Sequence, residues 1–97
     1  MKLSPSEMAI IRDYFQDKPV LRVFLFGSFS REDAIENSDI DILVELDYSK
    51  HIGLDFVNMK LDLEDMLHKN VDLVSSNSIS KHMLPFIDSD KKLIYER

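Results

Sequence analysis

Apolar and polar positions follow two different rhythms along this chain. Met8, Ile11, Tyr14 and Phe15 recur at helical spacing, which marks the inward stripe of an amphipathic helix. Its start is written just upstream. Ser4 suits the N-cap, Pro5 the first helical position, and Glu7 completes a capping box. Asp17-Lys18-Pro19 ends the helix, since proline has no amide with which to continue the ladder. Val20 to Phe26 is a near-continuous apolar run, the pattern of a strand buried on both faces. Ser28 to Ala34 predicts a short helix, Glu36-Asn37-Ser38 a polar turn, and Ile40 to Leu46 a second strand. Asp47 to Gly53 reads as loop. Leu54 to Lys69 predicts an amphipathic helix with Phe56, Met59, Leu63, Met66 and Leu67 on one side. Val71 to Val74 predicts a third strand, Ser78 to Ile87 a helix with Pro85 near its end, and Leu93 to Tyr95 an edge strand. Helices interleaved with strands imply an α/β or α+β domain, a small sheet flanked by helices.

Candidate chemistry gathers where the first two strands meet. Side chains alternate faces along a strand, so residues two apart point the same way. Asp39 and Asp41 are therefore expected to project together, with Ile40, Ile42 and Val44 on the opposite side. Neighbouring carboxylates repel unless a cation lies between them. Their oxygens suit Mg²⁺, which commonly takes one or two carboxylates plus substrate phosphates. Gly27-Ser28, closing the preceding strand, offers backbone that a phosphate can approach.

Composition narrows the field. The 97 residues make one small domain, 1–97, and 44% hydrophobic content supports a single modest core. So short a chain gains from a partner or from oligomerisation. There is no cysteine, which excludes disulfides and thiolate metal sites and fits a reducing cytoplasm. The net charge of −6 argues against an independent nucleic-acid binder, which is usually basic. No run approaches the roughly 20 apolar residues of a membrane span, and the first ten residues carry no signal-peptide pattern. His51, His68 and His82 lack ligand spacing and read as surface or structural residues.

The spaced set Gly27-Ser28, Arg31, Ala34, Ser38-Asp39, Asp41 and Val44 resembles the signature of the DNA polymerase β-like nucleotidyltransferases. Within that superfamily the chain resembles the minimal nucleotidyltransferases (MNT) encoded beside HEPN-domain partners. The resemblance covers nearly the whole chain, down to a closing strand at Lys92-Leu93-Ile94-Tyr95-Glu96. It implies the nucleotidyltransferase fold, with a small mixed sheet. It also implies a third carboxylate on a neighbouring strand, matched here by Asp72 in Asn70-Val71-Asp72-Leu73-Val74.

The activity so implied is transfer of AMP from ATP to a tyrosine hydroxyl of a HEPN ribonuclease toxin, which silences it; the chain is then the antitoxin. Two Mg²⁺ ions are expected, held by Asp39, Asp41 and Asp72. Asp41 bridges them, and Asp72 receives the hydroxyl proton. Gly27, Ser28, Arg31 and Ser38 form the nucleotide-binding set, with Arg31 either meeting phosphate or anchoring the loop through a buried ion pair. One position departs from the pattern: Glu32 stands where many relatives have glycine, bringing negative charge towards the phosphates. Two other readings remain open. One is a small-molecule nucleotidyltransferase of the aminoglycoside type working with a separate substrate-binding subunit. The other is a non-catalytic antitoxin acting by occlusion.

Overall fold

The computed structural model describes residues 1–97. Four helices and four strands follow in the order α1 (Pro5–Phe15), β1 (Val20–Phe26), α2 (Ser28–Arg31), β2 (Ile40–Leu46), α3 (Asp55–Leu67), β3 (Val71–Ser75), α4 (Leu84–Asp90) and β4 (Lys92–Glu96), with a 3-10 turn at Ser76–Ser78. The strands form one sheet in the order β3-β2-β1-β4. β1 runs antiparallel to β2 and β4, while β2 and β3 run parallel. The sheet is therefore mixed, and α3 makes the crossover between its parallel pair.

α1 begins as its sequence predicts. The Glu7 amide donates to Ser4 Oγ at 3.1 Å and the Ser4 amide donates to Glu7 Oε1 at 2.9 Å, closing the capping box. Ile11 and Phe15 are fully buried against the sheet. α3 buries Met59, Leu63 and Leu67, a stripe in steps of four, whereas Met66 falls beside that stripe and is exposed. His68 ends α3 in the left-handed region. The Val71 amide then donates to Glu64 Oε2 at 2.9 Å, fixing how the helix feeds β3. No helix is long and apolar enough to cross a membrane.

Contrary to the sequence expectation, β1 is not buried on both faces. Val20 pairs with Leu46 and Arg22 with Glu45, so Leu21 is an extra residue on β1, a β-bulge. Leu21 is pushed out to solvent, and Val20, Val23 and Leu25 all reach the core face. The opposite face consists of three cross-strand rows. Glu45, Arg22 and Glu96 form an ionic row, with Arg22 Nε 3.6 Å and 3.2 Å from the two carboxylates. Val74, Leu43, Phe24 and Leu93 form an apolar row, and Asp72, Asp41 and Phe26 form the third. α4 lies over part of this face.

Two helices differ from their predicted extents. α2 is one turn, Ser28–Arg31, rather than a helix to Ala34. α4 starts at Leu84, with Pro85 in its first turn. Proline is tolerated there because first-turn amides have no intrahelical partner. Pro85 therefore opens a helix that runs to Asp90, instead of closing one that began at Ser78.

Candidate active site

Gly27 follows β1 directly and has φ +74°. A Cβ at this position would land on the Asp41 carboxylate. The glycine is thus required twice, by its backbone conformation and by the side chain that occupies the neighbouring space. Behind it, Ser28 and Phe29 begin α2, where helix geometry leaves the first amides without intrahelical acceptors. The Ser30 and Arg31 amides both return to the Gly27 carbonyl, at 3.1 Å and 3.0 Å, which fixes the tight turn.

Pairing brings the carboxylates together. Asp41 is in register with Phe26 on one side and Asp72 on the other. Asp39 stands two residues before Asp41, exposed at the entry to β2. Burial pushes the Asp41 carboxyl up to about 6, the charges of Asp72 and Asp39 add to the rise, and Arg31 opposes it. Half-buried Asp41 therefore feels the charges of both neighbouring aspartates.

The cleft above Asp41 and Asp72 has a volume of about 350 Å³, and Asp39 is not among the residues that line it. Gly27, Ser28, Arg31, Asp41 and Asp72 line one side, with Phe26 as floor. The far wall is α4, through Met83 just before it, Phe86, Ile87 and Asp90. Met83 and Phe86 are both exposed. A smaller hollow of about 270 Å³ shares Phe26, Asp72, Met83 and Ile87 and continues past Val74 to Ile79. Sequence reasoning missed this wall. Its only local signal was the exposed apolar pair flanking Pro85, and that reads as ordinary helix surface until the sheet below it is known.

Arg31 anchors its loop, and the ion pair involved is half-exposed rather than buried. Nε donates to Asp33 Oδ2 at 3.1 Å and Nη1 to Asp90 Oδ2 at 2.6 Å. Ser38 does not enter the cleft. Its Oγ accepts from the Ile35 amide at 2.9 Å, closing the turn that delivers Asp39 and Asp41. Its outer side faces a separate, wholly polar depression with Glu36, Glu64 and His68. Glu32 caps α2 with φ +66° and does not line the cleft. That conformation favours glycine, so the usual residue at this position has a backbone reason. The Glu32 side chain is exposed to solvent.

An all-oxygen donor set with one carboxyl already disfavouring its charged form suits a hard divalent cation. As the side chains stand, no three of them converge on a common point, so an ion held here would take one or two of these carboxylates and complete its shell with substrate phosphate and water.

The family model described as "Polymerase beta, Nucleotidyltransferase" matches residues 10–97. A protein of Methanocaldococcus jannaschii, provisionally named a protein adenylyltransferase, is 48% identical over 60 residues, covering 62% of this chain and 63% of that protein. This match spans just under two thirds of the relative's length. A solved structure provisionally described as a minimal nucleotidyltransferase superposes with a TM-score of 0.77 at 28% identity, covering 90% of this chain and 88% of that one. An MNT antitoxin in complex with a tri-AMPylated HEPN toxin from Shewanella oneidensis gives a TM-score of 0.64 at 22% identity, covering 95% and 69%; that likeness is one of fold.

Proposed function

The chain belongs to the polymerase β nucleotidyltransferase family, and we propose that it acts as an antitoxin by transferring AMP from ATP to a tyrosine hydroxyl of a HEPN-domain ribonuclease toxin. One observation carries the reading: Asp41 lies against Gly27 and opposite Asp72, on the side of a cleft that the Gly27-Ser28 turn also lines. The antitoxin role is supported by likeness to proteins named as adenylyltransferases and by a fold shared with an MNT antitoxin in complex with its AMPylated HEPN toxin.

The reaction forms a bond between the acceptor oxygen and the α-phosphorus, breaks the bond to the β-phosphate bridging oxygen, and releases pyrophosphate. Such transfers ask the protein mainly for alignment and charge neutralisation. Asp39, Asp41 and Asp72 would hold two Mg²⁺ ions, which supply the positive charge at the α-phosphate and the activation of the attacking oxygen. Ser28 and the first amides of α2 bind the terminal phosphates, and Arg31 adds positive charge beside them. Asp72, at the edge of the cleft away from that turn, takes the acceptor proton. Met83, Phe86 and Ile87 give the opposite side of the cleft an apolar surface.

Incubating the purified chain with ATP, Mg²⁺ and its co-encoded neighbour, followed by intact-mass spectrometry of both proteins, tests the proposal. AMP added to the neighbour, and absent with Asp41→Asn, is the expected result. A stable complex with no added mass points instead to neutralisation by occlusion.

A further inference from the structure

Asp90, the last residue of α4, makes two separate connections to the phosphate-side loop. Its backbone carbonyl accepts from the hydroxyl of Ser30, the single buried polar residue of the chain. Its carboxylate accepts from Arg31 Nη1 at 2.6 Å and is itself only 18% exposed. The end of a helix disfavours negative charge, because carbonyls there project their own partial charge. What holds the Asp90 carboxylate in place is therefore Arg31, and not α4. Both residues line the cleft together with Ser28. A polyphosphate seated against Ser28 meets a guanidinium already engaged by a carboxylate and faces that carboxylate directly.

We propose that Asp90 competes with the phosphate chain for Arg31, and so sets nucleotide affinity and assists pyrophosphate release. The inference rests on the nucleotide reading of the cleft given above. Arginine presents five donors on a planar fork. Nε therefore stays on Asp33 while Nη1 moves from Asp90 to an incoming phosphate oxygen and back again. The Ser30 bond to the Asp90 carbonyl does not involve the carboxylate, so α4 stays attached throughout the exchange. Neutralising Asp90 removes the competitor and leaves the anchor intact.

Calorimetric titration of the full chain with AMP-PNP and Mg²⁺ tests this, with melting temperatures recorded beside it. Asp90→Asn is expected to bind roughly three- to fivefold more tightly, the scale set by one exposed ion pair. Asp90→Ser is expected to change affinity in the same direction and covers the case in which the asparagine variant misfolds. Arg31→Gln weakens binding and abolishes the gain from Asp90→Asn. Ser30→Ala, which loosens the same anchor without altering charge, gives no tightening. Weaker or unchanged binding by both Asp90 variants, or an equal gain in the Arg31→Gln background, overturns the proposal and makes Asp90 a purely structural tie. Failure of the unaltered chain to bind AMP-PNP removes the nucleotide reading itself, and this inference with it.

Discussion

Asp41 and Asp72 stand directly opposite one another on two parallel strands. The pair is charged only at a cost, and that cost depends on pH. Burial and the Asp72 and Asp39 charges raise the Asp41 carboxyl from 3.8 to about 6. Because the folded value exceeds the unfolded one, the folded state binds this proton more tightly. The stability contributed is complete below the unfolded value and is lost as pH climbs through about 6. Without divalent ions, Asp41→Asn should therefore melt above the unaltered chain at pH 7, by about 1–2 kcal/mol after allowing for solvent screening, and the difference should vanish near pH 4. Mg²⁺ should raise the melting temperature at pH 7 and not at pH 4. A pH-independent gap between the two proteins would remove the coupling.

Gly27 and Asp41 claim the same space. Gly27→Ala places a methyl where the carboxylate sits and forces a non-glycine residue to positive φ, a loss of about 2–4 kcal/mol for strain and clash together. Nucleotide binding should be lost as well. Combining it with Asp41→Ala frees the space, so the two substitutions together should destabilise less than the sum of their separate effects. Denaturant titration of the four proteins measures this coupling.

Glu32 is held at positive φ in an exposed turn. Glu32→Gly should stabilise the fold by about 0.5–1 kcal/mol, the left-handed penalty less the entropy glycine gives up. AMP transfer should not change, since Glu32 lies outside the cleft. Thermal melts and transfer rates check the two halves separately.

The capping box of α1 reaches beyond its own helix, because Glu7 Oε2 also meets Lys69 Nζ at 3.2 Å, just before β3. Ser4→Ala should cost about 1 kcal/mol. Glu7→Gln retains the reach to the Ser4 amide but weakens the Lys69 contact, so its smaller loss should fade with added salt. Denaturant midpoints at two salt concentrations separate the contributions.

The sequence by itself settled what depends on neighbours a few residues away. The capping box needs only Ser4, Pro5 and Glu7. β2 needs its own run of apolar residues, whereas Asp39 falls just before that strand and outside the reach of its period of two. The Gly27-Ser28 turn was legible because its residue types are so restricted. What the tertiary structure decided involves partners distant in the chain. The bulge at Leu21 appears only when β1 is laid against β2, and it changes which residues meet the core. Ser38, grouped by spacing with the nucleotide-binding residues, turns to the Ile35 amide because the chain before β2 folds back there. Arg31 was left between phosphate and ion pair until α4 brought Asp90 to it from 59 positions away. The apolar wall opposite the aspartates arises in the same way, from Met83 and Phe86 crossing a sheet face whose rows are set by strand register. Local pattern fixes which face a side chain takes on its own element; only packing between elements fixes what that face meets.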